Sequence, residues 1–239
     1  MLASQAEEAG PTPVSCFFDS HNFINISHFL HNIYKIYDRG SIRMAFGNRG
    51  ILSHSGGVMQ VNNALIEEIS TSNNTTGYII ISYVDYSANG METMNFLHLN
   101  ITNNTAILNL AGASNCLCDL QEGMWVDAIF SPRMTRSIPP QTNAFLIIAR
   151  RGLPASTNTT TDRIISVDTR QNTILTGNPN NPNRQTLFNL SNDTLIRNRM
   201  GNPIRLSDLR PGQMVRIIHA NFQTASIPPQ TTAFYVQLL

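Results

Sequence analysis

Apolar and polar residues alternate with a period of two through much of the chain. In MVRIIHA (214–220), Val215, Ile217 and His219 fall on one side and Arg216 and Ile218 on the other; in WVDAIF (125–130), Val126, Ala128 and Phe130 take the matching side. A period of two marks a half-buried strand. Further strands follow, with Phe145, Ile147 and Ala149 opposite Ala144, Leu146 and Ile148, and with Phe234, Val236 and Leu238 opposite Ala233, Tyr235 and Gln237. AFLIIA (144–149) is apolar on both sides, which predicts a covering layer supplied by the other half of the chain, the N-terminal segment or a neighbouring subunit. Only residues 22–40 show helical spacing: Ile26, Phe29, Leu30, Ile33 and Tyr37 share a face, Asn22 stands as N-cap and Gly40 as stop.

The strands recur. Set against itself at a shift of 89, the chain aligns 100–150 with 189–239 without a gap, and 21 of the 51 pairs are identical. Two copies of one folding unit follow. Upstream, ISYVD (81–85) matches IISVD (164–168) at a shift of 83, so the second copy is expected to hold six extra residues, placed in GNPNNPN (177–183). SIPPQT occurs whole in both copies, at 137–142 and 226–231. Paired prolines lack N–H groups and hold φ near −65°, so each strand is predicted to leave its ladder at Pro139-Pro140 and at Pro228-Pro229, forming a structural corner. DLRPG (208–212) reads as a type II turn with Leu209 as a core plug, and DLQEG keeps the glycine in the first copy.

Together these elements predict a mainly β protein with two tandem homologous small β-barrels or sandwiches, OB- or SH3-like, behind a short N-terminal arm and helix. The expected divisions are an arm and docking helix over 1–40, a first β-domain over 41–150 and a linker over 151–162. The second β-domain then occupies 163–239. The 41–76 stretch is read as further strands of the first unit, joined by glycine turns.

Composition refines this picture. A hydrophobic share of 41% fills a core, while charged residues amount to only 13%, leaving a polar but weakly charged surface rich in Asn and Thr. The net charge of +1 conceals a split: residues 1–130 carry one Lys and three Arg against eleven acids, net −7, and residues 131–239 carry twelve Arg against four Asp, net +8. Such halves attract one another, within a chain or between chains. Neither a signal peptide nor a membrane span is legible, so cytoplasmic synthesis, with assembly on a spore or cell surface, is the expectation.

Motifs for chemistry are sparse. GNRGILSHSGG (47–57) lacks the Gly-Lys-Ser/Thr of a phosphate loop and reads as a hairpin with glycine turns, and His54 with Ser55 lacks the nucleophile elbow. The six histidines form no metal-ligand spacing, although His28 and His31 share a helix side. The carboxylate pairs Asp85/Asp127 and Glu67/Glu68 have no cleft to work in, while Asp85/Asp168 and Asp119/Asp208 recur between copies and suit turns or caps. No enzyme, metal or cofactor is therefore expected. Cys116 and Cys118 are read on one strand face, where a disulfide between the two is expected to be strained, either as small buried hydrophobes or as partners of Cys16 in a disulfide between subunits; Arg205 and Ser207 hold their places in the second copy.

DLRPGQMVRIIHANFQTASIPPQTTAF (208–234) resembles uncharacterised bacterial proteins, chiefly of anaerobic spore-formers, whose small β-domains end in a Pro-Pro-Gln-Thr corner. The resemblance implies a barrel and a bacterial source, and no activity. Two functions compete. The first is a non-enzymatic structural protein that self-associates head to tail, its acidic half against the basic half of the next copy, into a filament or coat. The second is a binding module for nucleic acid, another polyanion or a carbohydrate, with Arg197, Arg199, Arg205, Arg210 and Arg216 lining a groove of the second barrel.

Overall fold

The computed structural model describes residues 48–73, 75–86, 89–152 and 157–239. The arm and helix expected over 1–40, and Cys16 with them, lie outside the described residues. Twelve strands are described: β1 (Leu52–Ser55), β2 (Val58–Thr71), β3 (Gly77–Tyr86), β4 (Glu92–Ile101), β5 (Ala106–Asn109), β6 (Trp125–Phe130), β7 (Gln141–Arg150), β8 (Asn158–Asp168), β9 (Thr173–Gly177), β10 (Gln185–Arg197), β11 (Met214–His219) and β12 (Gln230–Leu238). β8 opens at Asn158, inside the stretch 151–162 expected as linker.

β8 to β12 form a closed barrel in which β8 pairs β9, β9 pairs β10, β10 runs parallel to β12, β12 pairs β11 and β11 returns to β8. Counted within the unit this is the order 1-2-3-5-4-1 with strands three and five parallel, the Greek-key arrangement of an OB barrel. The first copy repeats it. β2 pairs β3, β3 pairs β4, β4 and β5 both run parallel to β7, β7 pairs β6, and β6 returns to β2, so that its third strand is split in two. β1 is a hairpin addition to β2 across Gly56-Gly57, whose φ values of 53° and 78° are those of a turn that glycine favours.

Each barrel has its own core. Val61, Ile79, Ile81, Leu97, Leu99, Val126, Phe130 and Ile147 fill the first, and Ile164, Ile174, Phe188, Val215, Ile217 and Val236 the second. Leu209 is buried in the second core as expected, and Leu120 takes the same place in the first. After Leu209, the turn Arg210–Gln213 closes through Gln213 N–H to Arg210 C=O, with Gly212 at φ 87°.

Two sequence expectations are corrected here. ISYVD lies on the second strand of its barrel and IISVD on the first strand of its own, so their likeness is only shared alternation. The equivalent residues are Ile66 and Ile164, 98 apart, each bonded to the turn before strand four (Ile66 N–H to Met124 C=O, Ile164 N–H to Gln213 C=O). Because downstream separations are 89, the first copy is nine residues longer between these points; the second copy has no six-residue insertion. Asp85 and Asp168 are accordingly not equivalent.

The second correction concerns the last strands. In both copies a β-bulge breaks the alternation: Ile129 faces Leu146 but Phe130 faces Ala144, and Ile218 faces Tyr235 but His219 faces Ala233. A bulge sets two residues against one, so two successive side chains leave the core face. Phe145 therefore points outward with Leu146 and Ile148, and Phe234 outward with Tyr235, rather than inward.

Those outward residues meet across a third apolar cluster, and this is the layer that covers AFLIIA. Equivalent positions of the two copies line it: Ala106 and Leu195, Ile129 and Ile218, Phe145 and Phe234, Leu146 and Tyr235. Contact between like faces is isologous, the kind found in symmetric dimers. Polar contacts cross it reciprocally, since Arg216 donates to Gln60 Oε1 at 2.9 Å, while Asp127, the residue equivalent to Arg216, receives the N–H and hydroxyl of Thr157 at 2.9 Å each. Both salt bridges among the described residues lie within the first barrel.

Candidate functional site

The best-built exposed feature is the loop between strands four and five of each barrel, 131–140 and 220–229. The preceding strands end at Phe130 and His219, ahead of the prolines, so the double proline closes the loop instead of starting it. Its role follows from what proline retains: Pro140 and Pro229 keep C=O acceptors and receive His98 N–H and Leu187 N–H at 2.9 Å, which begins the parallel pairing of strands three and five. The Ile-Pro bond is cis in both loops.

One hydrogen-bond frame is built twice. Thr135 N–H donates to Gln141 C=O at 3.0 Å, Gln141 N–H returns to Thr135 Oγ1 at 2.9 Å, and Ser137 Oγ donates to Pro139 C=O at 2.8 Å. Thr224, Gln230, Ser226 and Pro228 repeat these bonds at 2.9, 2.9 and 2.8 Å. Thr142 Oγ1 ties the first loop to Ser131 and Arg133 carbonyls, and Thr231 Oγ1 ties the second to those of Ala220 and Phe222. Every shared letter of SIPPQT thus has a place in the frame except the isoleucine. Ile138 is 99% exposed and Ile227 70% exposed. Sequence reading found the motif but not this tip, because an apolar letter beside prolines resembles core.

The five arginines expected to line one groove are divided. Arg197 lies with its guanidinium 4.0 Å from the Phe145 ring centroid and donates to Gly201 C=O at 2.6 Å; burial lowers its pKa. Arg216 reaches Gln60. Both belong to the contact between barrels. Arg199, Arg205 and Arg210 are exposed. Arg163 comes close to Arg210, bonding Gly212 C=O just past Arg210's own contacts with Ser207 and Leu209 carbonyls. At the matching places the first copy has Leu65, Leu110, Cys116 and Gln121, so the fold does not require charge there.

Cys116 and Cys118 do not share a strand face and are not buried. Cys116 stands at the N-cap of a short 3-10 turn, Leu117–Asp119, and Cys118 lies within it, exposed, while Leu117 is the buried member. The two are joined as a disulfide with Cα atoms 5.1 Å apart. Asp119 Oδ2 accepts Cys116 N–H at 2.8 Å, and Asp208 does the same for Arg205 in the second copy at 2.9 Å. The cap duty expected of this aspartate pair is thereby seen. Beside the disulfide opens a cleft of about 630 Å³ bordered by Asn115, Cys118, Asp119, Gln121 and Arg151.

The carboxylate pairs do not converge on a cleft. Asp127 is buried and accepts from Asn63 N–H, Arg150 and Thr157; Asp85 is exposed at the end of β3. Glu67 receives Ser82 Oγ and Arg49, and Glu68 receives the Tyr78 hydroxyl at 2.8 Å. Tyr78 stacks on His98 at 4.2 Å between centroids; burial lowers the His98 pKa and, with Glu68 beside it, raises that of Tyr78. His219 is buried, donating from Nδ1 to Ala220 C=O at 2.7 Å and accepting from Thr160 Oγ1 at Nε2, 2.9 Å; burial lowers its pKa.

The chain matches no family model and no curated protein. Two solved structures of the single-stranded DNA binding protein from Thermus aquaticus align with it at 12% identity. A deletion mutant does so over 80% of this chain and 95% of its own at a TM-score of 0.23, and the wild type over 80% and 94% at 0.24. The superpositions are loose, and the barrel assignment rests on strand order. No helix among the described residues is long and apolar enough to cross a membrane.

Proposed function

We propose that the chain is a non-catalytic structural protein that self-associates through its two proline loops. One observation carries this reading: an identical rigid frame, built twice, presents an isoleucine to solvent each time. Burying one such side chain on a partner contributes about 2 kcal/mol, and the frame has already met the ordering cost. A second copy is the partner this favours, since two equivalent contact points on a pseudo-symmetric body match another body of the same symmetry. Sedimentation velocity over a concentration series tests the reading. The wild type should form a larger species that Ile138→Ser with Ile227→Ser abolishes, with the unfolding midpoint unchanged. A wild type monomeric at every concentration, or a double variant that associates equally well, refutes it.

A second reading, polyanion binding, is favoured by the patch of Arg163, Arg205 and Arg210 at places where the first copy is uncharged. Single-stranded DNA binding followed against salt separates the two: phosphate contacts give a falling log–log slope of about 0.7 per neutralised phosphate.

A further inference from the structure

We infer that Cys116, Cys118 and Asp119 form a redox-gated site for a soft divalent cation of the zinc class. Their ligand atoms lie within 4.8 Å of one another, and Cys116 Sγ is 3.2 Å from Asp119 Oδ2. Two thiolates and a carboxylate are a donor set that suits Zn²⁺, with a fourth position left for water from the open cleft at Cys118 and Asp119. Asp119 is held in place by its bond to Cys116 N–H, so one ligand is positioned before any ion arrives.

The second copy shows that the turn itself does not call for this chemistry. Arg205–Asp208 has the same cap and the same 3-10 turn with Arg and Ser in place of the cysteines. Sulfur in the first copy is an addition to a scaffold that folds without it. A disulfide enclosing one residue restricts the unfolded chain little, so it is a weak staple. Exposure of Cys118 admits reagents, whereas a structural thiol is usually buried.

In the oxidised form both sulfurs are committed to each other and the site cannot hold an ion. A dithiol, or two equivalents of a small thiol, reduces it: the S–S bond breaks, two electrons and two protons pass to Cys116 and Cys118, and the reductant becomes a disulfide. Binding of the divalent ion then displaces the two thiol protons to solvent, leaving a centre of one net negative charge when the fourth ligand is water. Of the arginines at the cleft, Arg150 is engaged by Asp127 at 3.0 Å and so does not compete for Asp119.

The test uses the full chain with Cys16→Ser, reduced with a phosphine that is then removed under argon, and titrated with Co²⁺ and Zn²⁺. The reduced protein should bind one ion per chain, Co²⁺ giving a thiolate-to-metal charge-transfer band that Zn²⁺ displaces and reoxidation erases. Cys118→Ser, which copies the residue at 207, should keep the fold and lose the band. Asp119→Asn should weaken binding by at least about tenfold, the least that supporting-shell changes alone produce. A reduced protein that gives no band and releases no protons, or binding that persists in Cys118→Ser or in the oxidised chain, overturns the inference.

Discussion

Removing the Asp127 carboxylate tests whether the barrels are locked by a buried polar network. Its two oxygens accept four donors: Asn63 N–H at 2.8 Å, the Arg150 guanidinium at 3.0 Å, and Thr157 N–H and Oγ1–H at 2.9 Å each. The side chains of Arg150 and Asp127 are 3% and 4% exposed. Asp127→Ala leaves the guanidinium buried without a counter-charge and three further donors unpaired, at a cost of about 3–5 kcal/mol. With a urea slope of about 3 kcal/mol per M, the midpoint falls by about 1–1.7 M. Arg150→Met leaves the carboxylate three of its donors and should cost less, about 1–3 kcal/mol. The double variant must fall short of the sum by at least about 1 kcal/mol, since the residues are in contact. Thr157 begins the second barrel, so loss of its acceptor should also separate unfolding into two transitions. A cost below about 1 kcal/mol for Asp127→Ala, or strict additivity in the cycle, refutes the reasoning.

Three other outcomes are expected. Burial pushes the Tyr235 pKa up to about 12, so the neutral phenol favours the fold; that stability is complete below about pH 10 and lost as pH rises through 12, visible as alkaline unfolding that Tyr235→Phe delays. His219 is the reverse case: its lowered pKa makes the neutral ring a contributor above its ordinary value near 6.5, lost as pH falls through the depressed folded pKa, and imidazole shifts should show it ionising below that ordinary value. Gly57→Ala places a methyl at a φ of 78° and 2.5 Å from the Met200 carbonyl oxygen, so it should cost about 1–3 kcal/mol in denaturant unfolding, and more than the same change at Gly123, where φ is 80° but no atom stands in the way.

The sequence by itself determined the strands, the duplication and the turns, because these are local. Period-two alternation located WVDAIF and MVRIIHA, glycine and proline marked the Arg210–Gln213 turn, and the 89-residue shift made each copy a check on the other. The copies even showed that sulfur at 116 and 118 was dispensable to the fold. Tertiary structure decided where side chains went once alternation failed. The bulges at Phe145 and Phe234 turn both rings into the contact between barrels, and nothing in the letters marks a bulge whose cause is the register of the neighbouring strand. The same contact engages Arg197 and Arg216, while Arg163, on β8, is exposed and bonds Gly212 C=O. It is also why Ile138 and Ile227 stand in solvent: apolar character is written in the chain, but burial is a property of what surrounds it.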